Sequence, residues 1–302
     1  MPYFYLFAPK ARRGLDEYYR LLDPKLSFLE RQKRILRHFY RFGQVLMDRI
    51  FQGYHRERVQ FTLRPNGLEN IASAMRDKDG LILLSAHVGG WDLAAGLLGR
   101  HELADRVHIV EYKTDGLSFD RLRGDMSSAK LNSLNSKRSG DAIFEIHQAL
   151  RAGQCLGLMG DRPIGDRFEL IPFLGKLAPF DVTAFRLAAA AGKPLLFTFG
   201  FRAGDGVYDF HARPAREYVY RPEVARELQT YDWASRYARQ LEFFVRKYPE
   251  QWFNFYPFWS SLPTAPDGRL GAQGNNSLLE ELQRPPLLRP EPAPDSTTNG
   301  TP

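Results

Sequence analysis

One cysteine in 302 residues is too few for an intrachain disulfide or a multi-cysteine zinc site, so neither holds this chain together. Cys155 sits inside the apolar "QCLGLMG" and reads as a packing residue of a protein kept in a reducing compartment. Long hydrophobic runs are missing too. No window approaches the roughly 20 apolar residues that a membrane-spanning helix needs, and the opening "MPYFYLF" has neither the charged start nor the small-residue cleavage site of a secretory signal. Acidic residues are outnumbered, 35 against 42 Lys and Arg, for a net charge of +7 and a pI near 9.4. That balance favours an anionic partner: nucleic acid, anionic lipid or an acidic carrier protein. No nucleic-acid-binding motif occurs and the basic residues interleave with apolar ones at helical spacing, so nucleic acid is not the expected partner. Also absent is a G-x-S-x-G nucleophile elbow.

What is present suits a core of ordinary size. With 43% hydrophobic residues the chain can bury one large α/β domain, expected over residues 1–262, with a helical extension at about 1–56 and a disordered tail at 263–302 that is rich in Pro, Gly, Asn, Ser and Thr. Between Leu26 and Tyr54 apolar residues (Leu29, Ile35, Leu36, Phe39, Leu46, Ile50) recur near the helical period, with Arg31, Lys33, Arg34, Arg37 and Arg41 between them. This predicts a basic amphipathic helix, with Gly43 as the place where it could break. It has two readings: a helix packed on the core with a solvated basic side, or one lying on a membrane surface.

Beyond it short apolar runs alternate with helical stretches, the pattern of a sheet covered by helices. Strands are predicted at "GLILLSA", "VHIVEY", "CLGLMG", "PLLFTFGF" and "VYDFHA". Helices are predicted at "DAIFEIHQALRAG" (Asp141 as cap, Gly153 as stop), at "DVTAFRLAAAAGKP" (Asp181 as cap, Gly192 as stop) and through "ARELQTYDWASRYARQLEFFVRKYP", halted at Pro249.

The segment that carries chemistry is "LLSAHVGGWDLA", residues 84–95. A strand ends on His87, two glycines follow, and Asp92 comes five positions after the histidine. On a regular helix residues five apart point about 140° away from each other; Gly89 and Gly90 can turn the chain sharply enough to bring Asp92 back under the imidazole. A carboxylate on one ring nitrogen fixes the tautomer and stabilises the imidazolium, which makes His87 a general base with Asp92 as its partner. With no protein nucleophile at hand, the substrate brings its own hydroxyl, and attack on an activated acyl group follows. The backbone N–H groups of the turn at Gly89, Gly90 and Trp91, or a nearby arginine, are the candidate donors to the oxyanion.

The same segment, with "ALRAGQCLGLMGDRPIG", "IPFLGKLAPF", "LAAAAGKPLLFTF" and "YPEQWFNFYPFW" in order behind it and "HFYRFGQVLMDRI" ahead of it, resembles the bacterial lipid A biosynthesis acyltransferases of the lysophospholipid acyltransferase superfamily. The resemblance runs from about Tyr3 to Trp259, with Gly90 where that family often has asparagine and Asp92 where it often has glutamate. It implies a glycerol-phosphate-acyltransferase-like mixed sheet and O-acyl transfer from an acyl carrier protein or coenzyme A thioester to a hydroxyl of a lipid or glycolipid. It also implies a peripheral place on the cytoplasmic face of the bacterial inner membrane, against an anionic surface. By position it further implies substrate contacts at Asp161 and Arg162 of "MGDRP" and at Gly175 and Lys176 of "FLGK". A basic residue between His87 and Asp161 completes the set, for which Arg121, Arg123 and Lys130 compete and Arg123 is taken. For Asp161 and Arg162 a structural ion pair is the competing reading. Thioesters are already activated, so no metal or cofactor is expected. The rival functions are a thioester hydrolase, with water in place of the acceptor, and a non-catalytic membrane-surface binding protein.

Overall fold

A computed structural model of the chain describes residues 2–54, 62–76, 80–91, 93, 107–111, 132–135, 139–163, 168–213 and 218–260. All fall in the unit Met1–Leu262, and the Pro-rich tail lies outside the described residues. Three helices open the chain: α1 (Pro2–Phe7), α2 (Pro9–Leu22) and α3 (Phe28–Tyr54). Helix α3 runs through Gly43 without the break that the glycine suggested. Ser27 starts it by local hydrogen bonding: its backbone N–H donates to Glu30 Oε2 at 2.9 Å, and its hydroxyl to the same oxygen at 2.6 Å.

The sheet elements are β1 (Thr62–Asn66), β2 (Leu81–Ser85), β3 (Val107–Glu111), β4 (Asn132–Asn135), β5 (Cys155–Met159), β8 (Leu195–Gly204) and β9 (Val207–Ala212), with β6 (Phe168–Phe173) and β7 (Lys176–Asp181) forming a separate hairpin. The seven-stranded sheet has the order β1-β9-β8-β2-β5-β3-β4. Only β8 and β9 pair antiparallel; the other neighbours are parallel. The sheet is therefore mixed. All five predicted strands are present. Two that the sequence did not suggest, β1 "TLRPN" and β4 "NSLN", lie at the two edges of the sheet. An edge strand tolerates the polar residues and Pro65 that disqualify a central one.

Helix α4 (Leu68–Arg76) precedes β2, α5 (Ser139–Arg151) precedes β5, α6 (Thr183–Ala191) precedes β8 and α7 (Arg226–Lys247) follows β9. Helix α5 begins at Ser139, so Asp141 lies inside its first turn and does not cap it. Val182, not Asp181, holds the cap position of α6; Asp181 stands one residue earlier, where its Oδ1 accepts the Thr183 N–H at 2.7 Å. Gly192 ends that helix in the left-handed conformation, φ 62°. The core is strongly aromatic: Trp233, Tyr237 and Phe244 of α7 are buried, and Tyr237 packs on Phe197 and Phe199 of β8.

Candidate active site

Strand β2 is central, with β8 on one side and β5 on the other, both parallel to it. Its register with β5 sets Leu81 opposite Cys155 and Ser85 opposite Met159. Carried on by two residues, that register brings His87 and Asp161 side by side where the two strands end. The Gly160 N–H donates to the Ser85 carbonyl at 3.0 Å and continues the pairing past the strands. The carboxyl ends of neighbouring parallel strands are where open α/β sheets place their sites.

There His87 Nδ1 lies 2.7 Å from Asp161 Oδ1. A carboxylate can only accept, so Nδ1 carries the hydrogen and the lone pair is left on Nε2. Asp161 Oδ2 accepts two further hydrogens, from the His87 backbone N–H at 3.0 Å and from Trp252 Nε1 at 2.8 Å. The Asp161 side chain is wholly buried while that of His87 is 32% exposed, so the imidazole, not the carboxylate, meets the solvent. Burial on its own would raise the Asp161 pKa. The charge and hydrogen bond of His87, the Arg162 charge and the Trp252 donor outweigh it and hold the carboxyl at about 2.

The glycine turn closes the site from below. Gly89 has φ +45°, a conformation that favours glycine, and a Cβ there would press on the Gly200 carbonyl and lie 2.9 Å from Phe201 Cα. Gly90 has ordinary φ but no room: its Cβ would stand 2.5 Å from Tyr208 Cε1. The N–H of Gly89 donates to Gln251 O at 2.8 Å and that of Gly90 to Gly200 O at 3.1 Å. These two hydrogens, which the sequence reading offered to an oxyanion, are thus spent on fixing the turn to the sheet. Val88 also bridges Trp252, and Phe253 N–H donates to the His87 carbonyl at 2.7 Å. Residues 251–253 are in effect a strap laid along the turn at His87–Gly90. Gln251 is itself held by a pair of bonds to the Arg202 backbone, 2.9 and 2.8 Å.

Asp161, expected from sequence to touch substrate, therefore spends both oxygens inside the protein, and its partner is His87 rather than Arg162. Arg162 donates Nη2 to the Phe253 carbonyl at 2.8 Å and lies over the Tyr256 ring, while its buried Nε has no acceptor among the described residues. Gly175 and Lys176 occupy the exposed tip of the β6–β7 hairpin, where Leu174 (φ 50°) and Gly175 (φ 80°) make the turn. Open space surrounds Gly175, so its glycine answers to turn geometry. The hairpin reaches the strap through Phe173, whose ring meets Trp252 edge-on at 5.3 Å. Trp91 begins the helix after the turn. Asp92, Arg121, Arg123 and Lys130 lie outside the described residues. The residues that sequence reasoning missed are Trp252 and Gln251. Both stand in the aromatic "YPEQWFNFYPFW", which carried the resemblance but has no titratable group aimed at catalysis to mark it.

Compared with known protein families, residues 20–261 match the bacterial lipid A biosynthesis acyltransferases. The chain belongs to that family. A search among curated proteins finds no match to the sequence. The matched span of this acyltransferase family member takes in α3, the sheet, the His87–Asp161 pair and the strap at 251–253. Among the described residues no group of three His, Cys, Asp or Glu side chains is placed to hold a metal ion, and no helix is long and apolar enough to cross a membrane.

Proposed function

We propose that this protein is an O-acyltransferase in which His87 is the general base and Asp161 the carboxylate that orients it. The observation that carries this reading is the 2.7 Å bond from a wholly buried Asp161 to Nδ1 of a solvent-reachable imidazole. His87 Nε2 takes the proton of the acceptor hydroxyl as its oxygen attacks the carbonyl carbon of an acyl thioester. The new C–O bond forms and the carbonyl becomes an oxyanion. Collapse of the tetrahedral intermediate breaks the C–S bond, and the imidazolium returns its proton to the departing thiolate. Asp161 stabilises the imidazolium between these two transfers. With the Gly89 and Gly90 hydrogens occupied, the Trp91 N–H and Arg162 are the remaining candidates for the oxyanion.

The donor is the thioester of an acyl carrier protein or coenzyme A, and the acceptor a hydroxyl of a lipid or glycolipid. Membership of the lipid A acyltransferase family supports both. Purified protein incubated with acyl thioester, with and without a lipid acceptor, tests the reading: an acyl ester that forms only with acceptor supports it. Free fatty acid formed at the same rate in both arms identifies a hydrolase instead, and no thioester consumption ends the enzymatic reading.

A further inference from the structure

Ten large apolar side chains are exposed among the described residues, and eight of them belong to α1 and α3. Exposed hydrophobic residues scattered singly are ordinary, but a cluster marks an interaction surface. Along α3 they form a line. At 100° per residue, Leu29, Leu36, Tyr40, Met47 and Phe51 fall within about 60° of arc, over roughly 33 Å of helix. The opposite side of the same helix is occupied: Ile35, His38, Phe39 and Val45 are buried, Phe39 stacks on Phe255, and Val45 packs with Tyr208 and Phe253. Helix α3 is therefore apolar on two faces, one against the protein and one against solvent. Tyr5 of α1 donates its hydroxyl to Gln32 at 2.8 Å, which sets the exposed Leu6 and Phe7 beside the first turns of the stripe.

Charge selects the occupant. From Arg31 to Met47 there is no acidic residue; the exposed Lys33 and Arg37 border one edge of the stripe, Arg37 with Glu250 at 3.5 Å, and Arg41 and Arg34 lie further round the helix. A second copy of the chain would bring a second set of the same cations to the seam, and like charges oppose such pairing. An anionic bilayer surface neutralises them and accepts the apolar row between its headgroups. We infer that α3 lies in the plane of an anionic bilayer surface, with Leu29, Leu36, Tyr40 and Met47 inserted and Lys33 and Arg37 on the headgroups. The covered side of α3 backs the glycine turn through Val45, and Asp48 on its flank accepts the Tyr208 hydroxyl at 2.6 Å. Docking thus brings the His87 site near the surface that holds a lipid acceptor, and to that extent the inference rests on the acyltransferase reading.

The test is co-sedimentation of the full chain with vesicles of mixed phosphatidylglycerol and phosphatidylethanolamine, or of phosphatidylcholine alone, at low and high salt. Turnover of a soluble thioester is followed in parallel. Binding is expected to the anionic vesicles and to be at least tenfold weaker on the neutral ones. Leu36→Gln with Met47→Gln, both exposed in the fold, should weaken binding at least tenfold at either salt concentration. Lys33→Gln with Arg37→Gln should weaken it at low salt and remove most of its salt dependence. Tyr40→Trp should shift its emission to the blue on anionic vesicles alone. Vesicle binding that the Leu36 and Met47 changes leave within twofold of the parent overturns the inference, as does absence of binding. A dimer in solution that these two changes dissociate would make the stripe an interface between copies. Because vesicle binding is read without catalysis, failure of the acyltransferase reading would show in turnover and leave the sedimentation result to stand or fall separately.

Discussion

The roles proposed for Asp161 and His87, together with their geometry, fix what each substitution should do. In Asp161→Asn the amide can present either an acceptor or a donor to Nδ1 and carries no charge to balance an imidazolium. Turnover should fall about 10²–10⁴-fold, the range a positioned general base commonly contributes, with His87→Ala at least as severe. Steady-state kinetics on variants with parental melting curves checks this. An Asp161→Asn enzyme within a few-fold of the parent removes Asp161 from the mechanism. Asp92→Asn measured alongside separates the two carboxylates: loss at Asp161 alone assigns the orienting role to it, and loss at both means that both serve. Trp252→Phe should act more gently and differently. It removes one of three hydrogens donated to the carboxylate, so the Asp161 pKa rises and the variant should lose less stability than the parent as pH falls below 3.8, a difference in urea midpoints that loss of packing alone would not cause. His87 was legible because it ends an apolar run and precedes two glycines. Asp161 was legible as a residue of interest but not as the partner of His87, since 74 residues separate them.

At the scale of elements, the glycine turn and the strand register decide the site. Alanine at Gly89 adds a Cβ at positive φ, at a cost of about 1–2 kcal/mol, and drives it into backbone atoms of β8 that have little freedom to move. Alanine at Gly90 meets a tyrosine ring carbon instead. Both variants should lose stability in chemical denaturation and activity in turnover, Gly89→Ala the more. Equal and mild effects would mean that the turn relaxes, and that the close approach to β8 is not what positions His87. The need for glycine here was readable from the sequence; the reason was only half readable, because the crowding comes from β8 and β9, more than 100 residues downstream. The register of β2 with β5 leaves a trace that could have been used. Counting from the paired Leu81 and Cys155, "LILLSAH" and "CLGLMGD" reach His87 and Asp161 at the same step. Knowing that the two strands are neighbours turns that coincidence into a contact.

For the molecule as a whole, two buried groups predict how stability responds to acid. Burial lowers the His38 pKa to about 3, and Asp161 is held at about 2. Both folded values lie below the ordinary values of 6.5 and 3.8. The unfolded chain therefore binds the extra proton, and each contribution is complete above the unfolded value and lost as pH falls toward the folded one. From pH 6.5 down to 3.8 the loss from His38 approaches about 1.4 kcal/mol per pH unit; below 3.8 Asp161 adds its own. Urea midpoints between about pH 7 and 4 should fall more steeply for the parent than for His38→Gln. Parallel slopes would mean that His38 protonates in the folded state.

By itself the sequence determined the alternation of strands and helices, the helix stops at Gly192 and near Pro249, the basic character of α3 and the histidine at a strand end. All of these are written in spacing along a few turns or a few strand residues. Tertiary structure alone decided which strands are neighbours, and hence that Asp161 meets His87. It also decided that the Gly89 and Gly90 hydrogens are spent on the sheet and the 251–253 strap, and which apolar side of α3 faces solvent. Periodicity counts the apolar faces of a helix, and only the packing of distant segments settles which of them is covered.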